Sequence, residues 1–151
     1  MDHLKNTVAF LAGISLLILL FACPIHAQAD NFSIRGEILF SETGVLYVYL
    51  VDEKSFATPL SGYRTLILEP NQLEASAGKI LFVFDAVPRG RYAIRCFQDV
   101  NNDGVLNRGI FGPSEPWGMT WQNKKHPRIP KFEDIVFDLN KDIKYLRIVM
   151  K

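Results

Sequence analysis

The chain has 151 residues, with 17 Lys and Arg against 16 Asp and Glu and 48% hydrophobic residues, enough to enclose one core and too few for two. A formal charge of +1 lacks the basic footprint of a nucleic-acid binder, so nucleic acid is excluded as a partner. Charged residues at 22% and aromatics at 12% also set the chain apart from disordered sequences.

At the N-terminus, Lys5 precedes an uncharged run from Val8 to Cys23, closed by Pro24 and the small-residue sequence Ala27-Gln28-Ala29. A charged start, an apolar middle and an A-x-A end predict a secretory signal peptide over residues 1–29, cleaved after Ala29. Cleavage leaves no transmembrane span and sends the product to the periplasm or the extracellular space. Two other readings compete. One is an uncleaved anchor, although the apolar run is shorter than the roughly 20 residues a spanning helix needs. The other is a lipoprotein, with Leu20-Phe21-Ala22-Cys23 as the signal and a lipid anchor on Cys23. Removal of residues 1–29 leaves 122 residues with one cysteine, Cys96, and one histidine, His126. An intramolecular disulfide is then impossible. Metal sites needing several Cys or His ligands are excluded with it.

Beyond Asp30 the chain alternates with period two. Phe32, Ile34, Gly36, Ile38 and Phe40 share one face and Ser33, Arg35 and Glu37 the other, which is the pattern of a half-buried strand. Ser41-Glu42-Thr43-Gly44 reads as a turn into Val45–Val51, apolar on both faces and therefore a central strand. Thr65–Leu68 reads as a short strand, and Asn71-Gln72-Leu73-Glu74 has capping-box spacing for a helical turn. Ile80–Phe84, Arg91–Gln98, Ile135–Leu139 and Ile143–Met150 complete the set, with Asn140-Lys141-Asp142 as a hairpin turn between the last two. In the strand from Arg91, Cys96 reads as a small buried hydrophobe. The prediction is an all-β fold over residues 30–151, a single immunoglobulin-like or transthyretin-like antiparallel β-sandwich of about seven strands.

One excursion breaks this rhythm. Residues 99–133 hold four of the ten glycines, four of the eight prolines and both tryptophans. Loops longer than about 15 residues are uncommon inside compact domains and usually carry function. This one begins D-x-N-x-D-G-x-L-N, from Asp99 through Asn101, Asp103, Gly104 and Val105 to Asn107. Oxygen ligands at alternate positions, with a glycine permitting a sharp turn, suit a hard cation. The expectation is calcium held by Asp99, Asn101, Asp103, Asn107 and the Val105 carbonyl. The twelfth position, where an EF-hand loop has its bidentate Glu, is Ile110. Glu115, folding back from Gly112–Gly118, is the candidate for the missing carboxylate. Such a site would bind with a Kd on the order of 10⁻⁴–10⁻³ M. The competing reading is a bare polar turn, since Asn-Asp-Gly turns for backbone reasons alone.

Trp117 and Trp121 are candidate binding residues for a glycan or an envelope protein, and otherwise form a small satellite core over one end of the fold. Lys124, Lys125, His126, Arg128 and Lys131 read as a solvated basic face. No G-x-S-x-G is present and a lone His126 is a thin catalytic inventory. Asp99, Asp103 and Glu115 are explained by metal binding without a substrate cleft. The expected function is therefore a non-catalytic exported cell-envelope module for binding or accessory work. A structural component without a metal is the alternative, and a carboxylate-dependent hydrolase a further one.

Phe82-Val83-Phe84-Asp85-Ala86-Val87-Pro88-Arg89-Gly90-Arg91-Tyr92-Ala93-Ile94, then Phe97–Gly104, Gly112–Gly118 and Pro130–Asp134, resemble the bacterial family called domain of unknown function 2141. The V-P-x-G-x-Y-x-I strand also resembles transthyretin-like and carboxypeptidase-regulatory-like modules. The resemblance implies a small exported β-sandwich and no function. Members often carry His before the first Asp of the acidic loop, where this chain has Gln98. Phe111-Gly112-Pro113 stands where G-I-P is common in the family. The transthyretin-like hydrolases need several histidines, which the processed chain lacks.

Overall fold

Apolar alternation in Asn31–Leu39 (β1) places it at the centre of a three-stranded sheet. It runs antiparallel to Lys79–Pro88 (β4) and parallel to Ile143–Val149 (β10) in this computed structural model, which describes residues 30–120 and 130–151. The readings made for residues 1–29, Cys23, Trp121, Lys124, Lys125, His126 and Arg128 lie outside the described residues. No helix among the described residues is long and apolar enough to cross a membrane.

The second sheet is ordered Arg64–Leu68 (β3), Val45–Val51 (β2), Gly90–Asp99 (β5) and Trp117–Met119 (β8). Phe137–Leu139 (β9) adds to β5 at its start. β2 is central, as its two apolar faces require, and is buried along most of its length. Ile34, Ile38, Phe82, Phe84 and Ile148 from the first sheet pack in one cluster with Leu46, Val48, Leu50, Ile94 and Cys96 from the second. The main core therefore draws its side chains from both sheets.

Two departures from expectation concern topology. The pairing is not wholly antiparallel, because β1 and β10 run parallel. Nor does Asn140–Asp142 close a hairpin: β9 pairs with β5 and β10 with β1, so the chain changes sheets there. The strand expected from Ile135 begins at Phe137, since Phe132–Ile135 forms a helical turn (α3) that buries Phe132 and Ile135.

The long excursion contains strands of its own. A hairpin of Arg108–Gly109 (β6) and Gly112–Pro113 (β7), together with β8, brings the strand count among the described residues to ten. The helical turn expected near Asn71 is Gln72–Ala77 (α2), with reciprocal bonds between Asn71 and Glu74. A second capping box, between Asp52 and Ser55, starts Glu53–Phe56 (α1). Ser at its third position hides it from a search for Glu or Gln.

β4 alternates from Lys79 to Asp85 and leaves Leu81 and Val83 exposed on the outer face of the first sheet. On the same sheet Glu37 is buried, accepting from the Tyr145 hydroxyl at 2.6 Å and pairing with Arg147 at 3.2 Å. The hydrogen bond to Glu37 is the main reason the Tyr145 phenol is raised above its ordinary value.

Candidate functional site

β5 runs out of the core at Asp99, and the acidic loop starts from that buried residue. Two residues take the left-handed conformation there, Asn102 at φ 60° and Gly104 at φ 75°. Asn and Gly are the residue types that adopt it most readily. The turn folds the following N–H groups back onto Asp99: Asp103 N–H donates to Oδ1 at 3.1 Å and Gly104 N–H to Oδ2 at 2.7 Å.

Asp103 is the hub of the exposed side of the loop. Its Oδ2 accepts from the side-chain amides of Asn101 at 2.9 Å and Asn107 at 3.0 Å, and its Oδ1 accepts the Val105 N–H at 2.9 Å. These donors, Asn101 first, hold its carboxyl below the usual carboxylate range. Asn101 also donates to Asn107 Oδ1 at 2.9 Å. Val105, expected to offer its carbonyl, thus enters the observed network through its N–H.

Glu115 returns to the loop as the sequence suggested. It is buried, and its Oε1 accepts the Val100 N–H at 3.0 Å while Oε2 accepts the Asn107 N–H at 2.9 Å. All six residues named from the sequence, Asp99, Asn101, Asp103, Val105, Asn107 and Glu115, therefore join one hydrogen-bonded unit.

The donor chemistry suits calcium, which takes about six to eight oxygens. Among the described residues, however, no group of three or more His, Cys, Asp or Glu is arranged to hold a metal ion. Each oxygen of Asp99 and Glu115 accepts one backbone N–H and retains a second lone pair for a ligand. At Asp103 the two asparagine amides present their N–H ends. Half-turns of both would bring oxygens to that spot, at the cost of the two amide bonds to Asp103 Oδ2 and of the Asp103 N–H bond to Asn101 Oδ1 at 3.2 Å. A cation would have to supply the compensating attraction.

Trp117 is half-buried on β8, paired in register with Phe97, and packs in a second apolar cluster with Tyr49, Phe97, Phe132 and Ile135. This is the satellite-core arrangement. Tyr47 stacks on Phe97 at 4.9 Å between centroids, and its hydroxyl lies 3.9 Å from where a side chain at Gly104 would start.

Sequence reasoning gave Arg95 no role and noted Gln98 only as a departure from the family's His. Arg95 projects from β5 opposite Tyr49, a register that the alternation of both strands implies once they are paired. Gln98 is fully buried beside the loop; its Nε2 donates to the Glu42 carbonyl at 2.6 Å, and its Oε1 has no hydrogen-bond partner among the described residues.

The profile of the family described as "Uncharacterized protein conserved in bacteria (DUF2141)" matches residues 37–145. No curated protein and no solved structure matches.

Proposed function

The chain belongs to the DUF2141 family, and on that premise we propose that it is a non-catalytic, exported accessory or binding module of the cell envelope with a calcium-organised loop. The observation that carries this reading is the convergence of Asp99, Asn101, Asp103, Asn107 and Glu115 in one hydrogen-bonded unit. Calcium there would offset two of the three carboxylate charges and cross-link both ends of the excursion. Asp99 and Glu115 would hold the ion from the buried side, and Asp103, Asn101, Asn107 and the Val105 carbonyl from the exposed side.

Export is supported by Lys5, the uncharged run Val8–Cys23 and Ala27-Gln28-Ala29, the three parts of a secretory signal. Two sheets closing on one apolar cluster support an immunoglobulin-like or transthyretin-like sandwich, modified by the parallel pairing of β1 and β10. The carboxylates of the loop are accounted for by its own N–H groups, which favours a binding role over hydrolysis. An envelope protein or a glycan meeting Trp117 is the proposed partner.

Terbium(III) luminescence tests the metal reading. With Tyr47 beside Gly104 as sensitiser, terbium should give a saturable signal that millimolar calcium displaces and equimolar magnesium leaves largely intact. Asp99→Asn with Asp103→Asn should abolish the signal. A signal indifferent to that double substitution would place the ion elsewhere.

A further inference from the structure

On the outer face of the second sheet lies a cavity of about 820 Å³, walled among others by Tyr49, Phe56, Phe97, Trp117 and Met119. That volume is within the roughly 300–1,000 Å³ of small-molecule sites, and a mostly apolar wall with few polar groups is their usual make-up. Of the described residues that line it, Arg95, Arg108 and Lys151 are the charged ones, and none is Asp or Glu.

Arg95 is the group with the most to gain from an anion. Its guanidinium donates to the carbonyls of Phe56 at 3.3 Å, Thr58, and Ser61 at 2.6 Å. It also lies 5.8 Å from the Tyr49 ring centroid and 5.9 Å from that of Phe56. No carboxylate among the described residues forms an ion pair with it, whereas Arg35, Arg91 and Arg147 each have one. Burial accordingly pulls its pKa down. A cation in a partly desolvated wall, held only by neutral carbonyls and ring faces, attracts an anion more strongly than one in water.

We propose that this cavity binds a small organic anion with an aromatic body, the rings lying against Tyr49, Phe97 and Trp117 and the anionic group meeting Arg95 and Arg108. Val105 and Leu106 of the acidic loop also line the cavity. Binding is therefore measured both in chelator and in millimolar calcium, so that failure in both arms bears on the cavity and not on the metal reading.

The probes are 8-anilinonaphthalene-1-sulfonate and its uncharged analogue N-phenyl-1-naphthylamine, titrated into the full chain and followed by fluorescence. The sulfonate should saturate one site and bind about tenfold or more tightly than the neutral amine, the ratio expected for one good charge-assisted contact. Arg108→Glu, at an exposed position, should weaken the sulfonate about tenfold and leave the amine within twofold. Ala57→Trp should remove both, because Ala57 is exposed at the cavity and its backbone, φ −67° and ψ −20°, accepts any side chain. Absence of saturable sulfonate binding, equal affinity for the two probes, or a sulfonate affinity unmoved by either substitution overturns the proposal.

Discussion

The Glu115 side chain holds the Asn107 backbone, and the backbone of Ser114 holds it a second time. Glu115 Oε2 accepts the Asn107 N–H at 2.9 Å, and the Asn107 carbonyl accepts the N–H of the neighbouring Ser114, also at 2.9 Å. With Glu115 Oε1 on Val100 N–H, one buried carboxylate spans the acidic loop from end to end. The Ser114 bond to Asn107 also closes the base of the hairpin Arg108–Pro113.

Glu115→Ala is expected to destabilise the fold by about 2–3 kcal/mol, because it leaves two loop N–H groups without their charged acceptor. Glu115→Gln should cost less, since one carbonyl oxygen remains to accept. Urea denaturation of the three proteins checks the order, and an alanine variant as stable as the parent would remove Glu115 from the account.

Acid should loosen the loop through Asp103. Its carboxyl is held below the ordinary range by Asn101, Asn107 and the Val105 N–H, so the proton is favoured in the unfolded chain. The stability this gives is fully present above the unfolded value near about 3.9 and is lost as pH falls through the lower folded value. Asp103→Asn should abolish that contribution. The stability gap between parent and variant should therefore narrow between about pH 5 and pH 2.5 in denaturant titrations; a gap that widens on acidification contradicts the network.

Glycines separate the packed interior from the open loop. A Cβ on Gly36 would sit 2.2 Å from the Leu146 carbonyl oxygen and 2.6 Å from Phe82 Cζ, where β1 meets both its neighbours. Gly36→Ala should cost about 3 kcal/mol or more. At Gly104 a Cβ meets only the Tyr47 hydroxyl, at 3.9 Å, so Gly104→Ala should cost about 1 kcal/mol, set by the left-handed backbone. Thermal unfolding of both variants tests the contrast; equal losses would deny it.

Cys96 should be inert while the protein is folded. Burial pushes its thiol up to about 12, so at pH 8 it stays protonated as well as covered. Labelling by a disulfide reagent, followed on the peptide that carries Cys96, should be about a thousandfold or more slower than in denaturant. Comparable rates would mean that the core opens far more readily than this packing allows.

What could be read in advance follows physical lines. Strands with alternating faces, such as Asn31–Leu39, and the side-chain cap of Asn71 and Glu74 are local, so residue order alone reports them. Pairing is not local: Asn140–Asp142 has the composition of a hairpin turn, yet β9 finds its partner at Gly90–Tyr92 and β10 at β1. The acidic loop was legible because Asp99, Asn101, Asp103 and Gly104 are neighbours in sequence. Glu115 was reachable as the carboxylate that loop lacked. Arg95 was not, since its partners are carbonyls of Phe56, Thr58 and Ser61, and backbone acceptors carry no residue signature.

The most direct test of the central claim is thermal unfolding of the full chain after chelation, with millimolar calcium in one arm and magnesium in the other. A ion that binds only the folded state stabilises by RT ln(1 + [L]/Kd), about 1.4 kcal/mol at a tenfold excess over Kd. The account predicts a calcium-specific rise of a few degrees that disappears in Asp99→Asn with Asp103→Asn. An equal rise with magnesium would contradict the calcium selectivity, and no rise with calcium would leave residues 99–107 as a turn stabilised by its own hydrogen bonds.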